Sequence, residues 1–179
     1  MREQVRVLLS EETVEARIKE VAEEINRDYG DEPLHLICVL KGGVMFLCDL
    51  SKRLRMPVSY DFMSVSSYGS GTVSQGIVRI LKDLDEPLEG KHVLIVEDII
   101  DTGNTLSHLL KLLATRKPKD IRICTLLNKP SRREKKVDAD YTCFSVPDEF
   151  VVGYGLDYDQ RYRNLPYIGV VEFDEINGK

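Results

Sequence analysis

Val14, Ile18, Val21, Ala22 and Ile25 return every three or four residues and so fall on one face of a helix. Ser10 stands before them as an N-cap, Glu11 and Glu12 occupy the first turn where the helix dipole favours acids, and Gly30 marks the end. The period then changes. Residues 34–40, LHLICVL, form a short apolar run of the kind a buried strand shows, and it stops at Lys41-Gly42-Gly43. Val44, Leu47, Leu50 and Leu54 resume helical spacing, whereas Val58, Tyr60 and Phe62 alternate as in a strand. Ser and Gly dominate 64–76 without any apolar period, which predicts a long mobile loop. Strand character returns at 77–81, 93–96 and 121–127, with a helix expected over 105–116 and shorter strands at 142–146, 150–154 and 167–171. Strands alternating with helices predict an α/β fold whose sheet is largely parallel and whose ligands bind outside the carboxyl ends of its strands.

A chain of 179 residues suffices to bury roughly 70% of its unfolded surface in one core. With no repeat, linker or low-complexity segment, 1–179 reads as a single domain. A composition of 42% hydrophobic and 31% charged residues is that of a soluble enzyme. Charges interrupt the apolar stretch of MREQVRVLLS, and no later run approaches membrane-spanning length, so a cytoplasmic protein is expected. The net charge of −5 argues against broad nucleic-acid binding, which needs a basic face. Cys38, Cys124 and Cys143 sit in strand-like segments as small hydrophobes, Cys48 shares no C-x-x-C spacing with them, and His35, His92 and His108 show no metal-ligand spacing. The basic run 128–136, NKPSRREKK, reads mostly as a solvated loop.

The segment 93–106, VLIVEDIIDTGNTL, carries the chemistry: it places three carboxylates and a small polar loop between a buried strand and a helix. N–H groups at a helix start have no internal partners, so Thr102, Gly103, Asn104 and Thr105 can surround a phosphate, and Gly103 lets the backbone come close. Alone, D-T-G-N-T has a plainer explanation in which Asp101 or Thr102 caps a helix. Glu97 and Asp98 add to the picture, because adjacent acids repel unless hydroxyls, metal ions or solvent compensate them, and a sugar diol is a suitable partner.

This stretch closely resembles the signature of the type I phosphoribosyltransferases, an apolar strand, two acids, two apolar residues, an acid or small residue and a T-G-x-T loop. It lacks the lysine and glycine spacing of the G-x-x-x-x-G-K-[ST] nucleotide loop. Resemblance to the hypoxanthine-guanine branch extends over 40–171 through Leu40-Lys41-Gly42-Gly43, Ser66-Ser67-Tyr68-Gly69, Leu126-Leu127-Asn128-Lys129, and Phe150-Val151-Val152-Gly153-Tyr154-Gly155-Leu156-Asp157-Tyr158 followed by Arg163.

The resemblance implies a mainly parallel central sheet flanked by helices, with a small hood formed by terminal segments. It implies a Mg²⁺-dependent transfer in purine salvage: phosphoribosyl pyrophosphate and hypoxanthine or guanine give IMP or GMP and pyrophosphate. Glu97 and Asp98 would hold the ribose hydroxyls and organise a first Mg²⁺, with Thr102, Gly103, Asn104 and Thr105 around the ribose phosphate and Asp101 accepting a proton from purine N7. Ile99 and Ile100 would be core residues beneath the loop. Lys41, Gly42 and Arg163 would bind pyrophosphate, and the family carries a cis peptide where Leu40 meets Lys41, although the sequence leaves an ordinary trans turn open. Phe150 would stack on the purine, Val151 offer backbone groups to its edge, Lys129 donate to O6, and Asp157 contact a second Mg²⁺. Ser67 and Tyr68 would belong to a lid excluding water. A homodimer or homotetramer is expected, with no membrane partner. Two alternatives stay open: an RNA-binding regulator on the same fold, disfavoured by Asp101 and the acidic balance, and a transferase preferring xanthine or another purine.

Overall fold

The computed structural model describes residues 2–67 and 78–174. In chain order its elements are β1 (Arg2–Leu9), α1 (Glu11–Tyr29), β2 (Leu34–Val39), α2 (Val44–Ser51), β3 (Val58–Ser67), β4 (Val78–Lys82), β5 (His92–Ile100), α3 (Asn104–Ala114), β6 (Asp120–Asn128), β7 (Tyr141–Ser145), β8 (Val151–Val152) and β9 (Ile168–Asp174), with a 3₁₀ turn at Pro130–Arg132.

Six strands form the main sheet in the order β4-β3-β2-β5-β6-β7. All its pairings are parallel except β3 with β4. Side chains alternate across it. Leu34, Leu36, Cys38, Leu94, Val96, Cys124 and Leu126 pack with α1 and α2, while Ile37, Val93, Ile95 and Ile123 pack with Leu106, Leu109 and Leu113 of α3. Burial on both faces accounts for the nearly continuous apolar runs of β2 and β5. The five apolar residues of α1 are fully buried, Ser10 Oγ accepts from Thr13 N at 3.3 Å, and the chain leaves the helix at Gly30 with φ of 57°.

Terminal segments build the hood, a separate antiparallel sheet in the order β1-β9-β8. Sequence patterning gave no strand at β1, although Val5, Val7 and Leu9 alternate, because only the partner β9, met more than 150 residues later, makes that stretch a strand. Two boundaries and one buried strand face also differ from expectation. β3 and β4 pair through Ser67 and Val78, so 64–67 belong to a strand rather than to the loop. The strand expected over 150–154 has only two residues, because Gly153 and Tyr154 turn the chain at φ of 92° and 51°. On β3 the most buried residues are Asp61 and Met63, while Tyr60 is 48% exposed. Asp61 is the core member because its carboxylate accepts from Phe62 N at 2.8 Å, Asp85 N at 2.8 Å and Glu86 N at 3.0 Å, which satisfies a charge that burial would otherwise penalise.

Cys38, Cys124 and Cys143 are buried and Cys48 is exposed. Burial pushes the Cys38 and Cys143 thiols up to about 12, so both are inert hydrophobes at neutral pH. Among the described residues no helix is long and apolar enough to cross a membrane.

Candidate active site

The candidate residues converge at the carboxyl ends of β2, β5 and β6, where the chain leaves the sheet at Leu40, Asp101 and Lys129. β5 runs through Glu97 and Asp98 to Ile100, with Glu97 opposite Thr125 and Ile100 opposite Asn128. Pairing with β2 ends at Val96, so the two acids project from a strand end held on the β6 side. Gly103, in the left-handed region at φ of 80°, caps α3, and Thr102 Oγ1 accepts from Asn104 N at 3.3 Å. Asp101 is not the cap, so its carboxylate is not used to close the helix.

Two cavities meet at this turn. One, of about 230 Å³, is lined by Glu97, Ile99, Asp101 and the start of α3 from Asn104 to Leu106. The other, of about 550 Å³, is lined by Asp98, Ile99, Asp101, Lys129, Phe150, Val151 and Asp157 among others. Asp101 and Ile99 line both. Ile100 is core as expected, but Ile99 is only partly buried and forms part of the wall between the cavities.

Burial, with the Asp98 charge beside it, raises Glu97 well above the usual carboxylate range. Burial raises Asp98 as well, opposed by the Ile99 N–H that donates to its Oδ1 at 2.8 Å and by the Arg163 charge. Negative charge here is held short of full compensation by protein groups, as a site for hydroxyl or cation partners requires.

The peptide between Leu40 and Lys41 is cis. Glycine is needed at 42 because a Cβ would overlap Asp98 Oδ2, and at 155 because one would overlap the Gly42 carbonyl. Lys41 Nζ donates to Gln160 Oε1 at 3.3 Å, and an Arg163 terminal nitrogen donates to the same oxygen at 3.3 Å. Arg163 also pairs with Asp157 Oδ1 at 2.7 Å and donates to the Gly155 carbonyl at 2.8 Å. The two candidate pyrophosphate cations, far apart in sequence, thus meet over one amide.

On the purine side, Lys129 is 7% exposed and its Nζ donates to the Glu149 carbonyl at 2.6 Å. An ammonium has three donors, so others stay available. Phe150 is 54% exposed, its ring edge-on to Tyr158 at 5.4 Å. Val151 lies in β8, the edge strand of the hood, whose outer backbone groups are unpaired by the sheet. Of the expected lid residues, Ser67 ends β3 and Tyr68 lies outside the described residues.

Most of the basic segment is exposed as expected, but its two arginines also reach the site. Arg133 donates to the Asp101 carbonyl at 2.8 Å and to the Asn128 side chain, while Arg132 Nε lies 2.9 Å from Asp101 Oδ1. Glu134 and Lys135 donate their backbone N–H groups to the Thr102 carbonyl at 2.9 and 3.0 Å. Local sequence carried no sign of this, since the pairing spans thirty residues.

Residues 5–159 match the phosphoribosyl transferase domain family. The chain belongs to the phosphoribosyl transferase family. It is 53% identical to the hypoxanthine-guanine phosphoribosyltransferase of Mycobacterium avium over 93% of this chain and 85% of that protein. It is 52% identical to the hypoxanthine phosphoribosyltransferase of Salmonella typhimurium over 98% and 100%. A crystal structure of a hypoxanthine phosphoribosyltransferase from Staphylococcus aureus superposes with a TM-score of 0.90 at 50% identity, covering 93% of this chain and 91% of that one. In this phosphoribosyl transferase the two cavities adjoin at Ile99 and Asp101, just past Glu97 and Asp98, and Val151 of the hood lines the larger one beside Phe150.

Proposed function

We propose that the protein is a hypoxanthine-guanine phosphoribosyltransferase, moving the 5-phosphoribosyl group of phosphoribosyl pyrophosphate to a 6-oxopurine to give IMP or GMP plus pyrophosphate. One observation carries this reading: Asp101 lines both cavities, one at the start of α3 and one bearing Lys129, Phe150 and Val151, so a proton acceptor stands where ribose and purine must meet.

Thr102, Gly103, Asn104 and Thr105 hold the ribose phosphate with helix-start N–H groups, and Glu97 and Asp98 hold the ribose hydroxyls. Phe150 stacks on the purine, β8 offers backbone groups to its edge, and Lys129 donates to O6. Asp101 accepts the N7 proton as the base attacks the anomeric carbon. Lys41, the Gly42 backbone and Arg163 stabilise the departing pyrophosphate, whose charge is the main barrier to leaving.

Glu97, Asp98 and Asp157 supply oxygen donors, and the described residues hold no cluster of three or more potential ligands. A dispersed carboxylate set fits Mg²⁺, which keeps waters and substrate phosphate oxygens in its shell. Bound there, Mg²⁺ would neutralise pyrophosphate charge. The family likeness further supports 1–179 as one catalytic domain, a lid that follows Ser67 and begins at Tyr68, a cytoplasmic location and a homodimer or homotetramer.

The test is kcat/KM for hypoxanthine, guanine, xanthine and adenine with phosphoribosyl pyrophosphate, with and without Mg²⁺. Hypoxanthine and guanine should be used well and adenine poorly. Lys129→Met should lower hypoxanthine use by about 10- to 10³-fold while adenine changes less, since a site built around a polar contact discriminates through it. Failure of every purine to release pyrophosphate would refute the assignment, and an unchanged hypoxanthine-to-adenine ratio in the variant would remove Lys129 from purine reading.

A further inference from the structure

One cation at the purine cavity has no part in the roles above. Arg132, at the end of the 3₁₀ turn, places its Nε 2.9 Å from Asp101 Oδ1 and a terminal nitrogen 3.5 Å from Asp148 Oδ1. All three residues line the larger cavity. The guanidinium thus links the proposed proton acceptor to an acid of the segment that carries Phe150.

Exposure decides what this contact can be for. The Arg132 and Asp101 side chains are 47% and 41% exposed, and wet ion pairs contribute little to stability. A planar guanidinium does, however, fix the orientation of a carboxylate. Arg133 serves differently, holding the Asp101 carbonyl at 2.8 Å and the Asn128 side chain. Two successive arginines therefore grip Asp101 at two points, its main chain and one carboxylate oxygen. Oδ1 is buried and held by the Arg132 charge rather than by an aligned hydrogen bond, and Oδ2 has no ion-pair partner among the described residues, which leaves it to take the proton.

We infer that Arg132 is a positioning residue for phosphoribosyl transfer: anchored on Asp148, it holds one oxygen of Asp101 so that the other meets the purine nitrogen. The inference rests on reading Asp101 as the proton acceptor. The angular demands of proton transfer make such a role kinetic, so its loss should appear in the chemical step and leave donor binding alone.

Single-turnover rates with hypoxanthine and saturating phosphoribosyl pyrophosphate are measured for the wild type, Arg132→Gln, Arg132→Lys, Asp101→Asn and the Arg132→Gln/Asp101→Asn double variant. Arg132→Gln should slow the chemical step by about tenfold with donor KM nearly unchanged, and Arg132→Lys should recover part of the loss. In the Asp101→Asn background the same glutamine should change the rate by less than about twofold, because the carboxylate it orients is gone. Equal losses in both backgrounds, or no loss in the wild-type background, overturn the inference while leaving Asp101 in place. If Asp101→Asn turns over at the wild-type rate, the proton-acceptor reading fails and the inference with it.

Discussion

At the scale of single residues, Gly42 controls how closely the candidate pyrophosphate turn approaches the acids of β5. A methyl group there would overlap Asp98 Oδ2, and the displacement has little room because Gly155 already touches the Gly42 carbonyl region. Overpacking of this kind costs about 1–3 kcal/mol, so Gly42→Ala should weaken binding of phosphoribosyl pyrophosphate by about 5- to 150-fold. Purine affinity should change less. Calorimetric titration of each ligand separates the two, and equal donor affinity in the folded variant would show that the turn does not need this closeness. Glu97, Asp98 and Asp101 were legible as residues because their motif is contiguous. Arg132, Arg133 and Gln160 were not, since a basic or amide side chain on a loop looks solvated until the chain brings its partner from far away.

At the scale of elements, α3 delivers the start of a helix to the smaller cavity and is held there by Leu106, Leu109 and Leu113. Leu109 is 1% exposed, and truncating such a leucine costs about 2–5 kcal/mol. Leu109→Ala should therefore lower the urea midpoint without changing the slope, and per-molecule turnover should hold wherever the variant remains folded. A loss of less than about 1 kcal/mol would mean that the cavity under α3 collapses freely. Apolar periodicity identified α1, α2 and α3 and the buried strands well because their faces repeat locally. It overextended the strand at 150–154, where positive φ at Gly153 and Tyr154 turns the chain away after Val152.

At the scale of the molecule, the amino-terminal end of the sheet, away from the site, holds a pH-sensitive contribution to stability. His35 is 2% exposed, with Nδ1 2.7 Å from Ser59 Oγ. Burial lowers its pKa below 6.5, and the Lys91 charge lowers it further. On acidification the unfolded chain takes up this proton before the folded one, so the contribution is complete above about pH 6.5 and is lost as pH falls through the folded value. His35→Gln should flatten the decline of Tm between about pH 7.5 and 5.5, even if it lowers Tm throughout by disturbing the Ser59 contact. Parallel Tm profiles for variant and wild type would assign the acid sensitivity to other groups.

What the amino-acid sequence determined by itself was whatever is written in neighbouring positions: the alternation of helices with buried strands, the cap at Ser10, and the acids and T-G-N-T turn between β5 and α3. Tertiary structure decided everything that depends on partners distant along the chain. β1 becomes a strand only beside β9, residues 64–67 join β3 by pairing with β4, and Asp61 enters the core because three backbone N–H groups await it. The meeting of Lys41 with Arg163 over Gln160, and of Arg132 with Asp101, belongs to the same class. Hydrogen bonds and ion pairs act over a few ångströms of space, and only the folded sheet sets which residues lie within that reach.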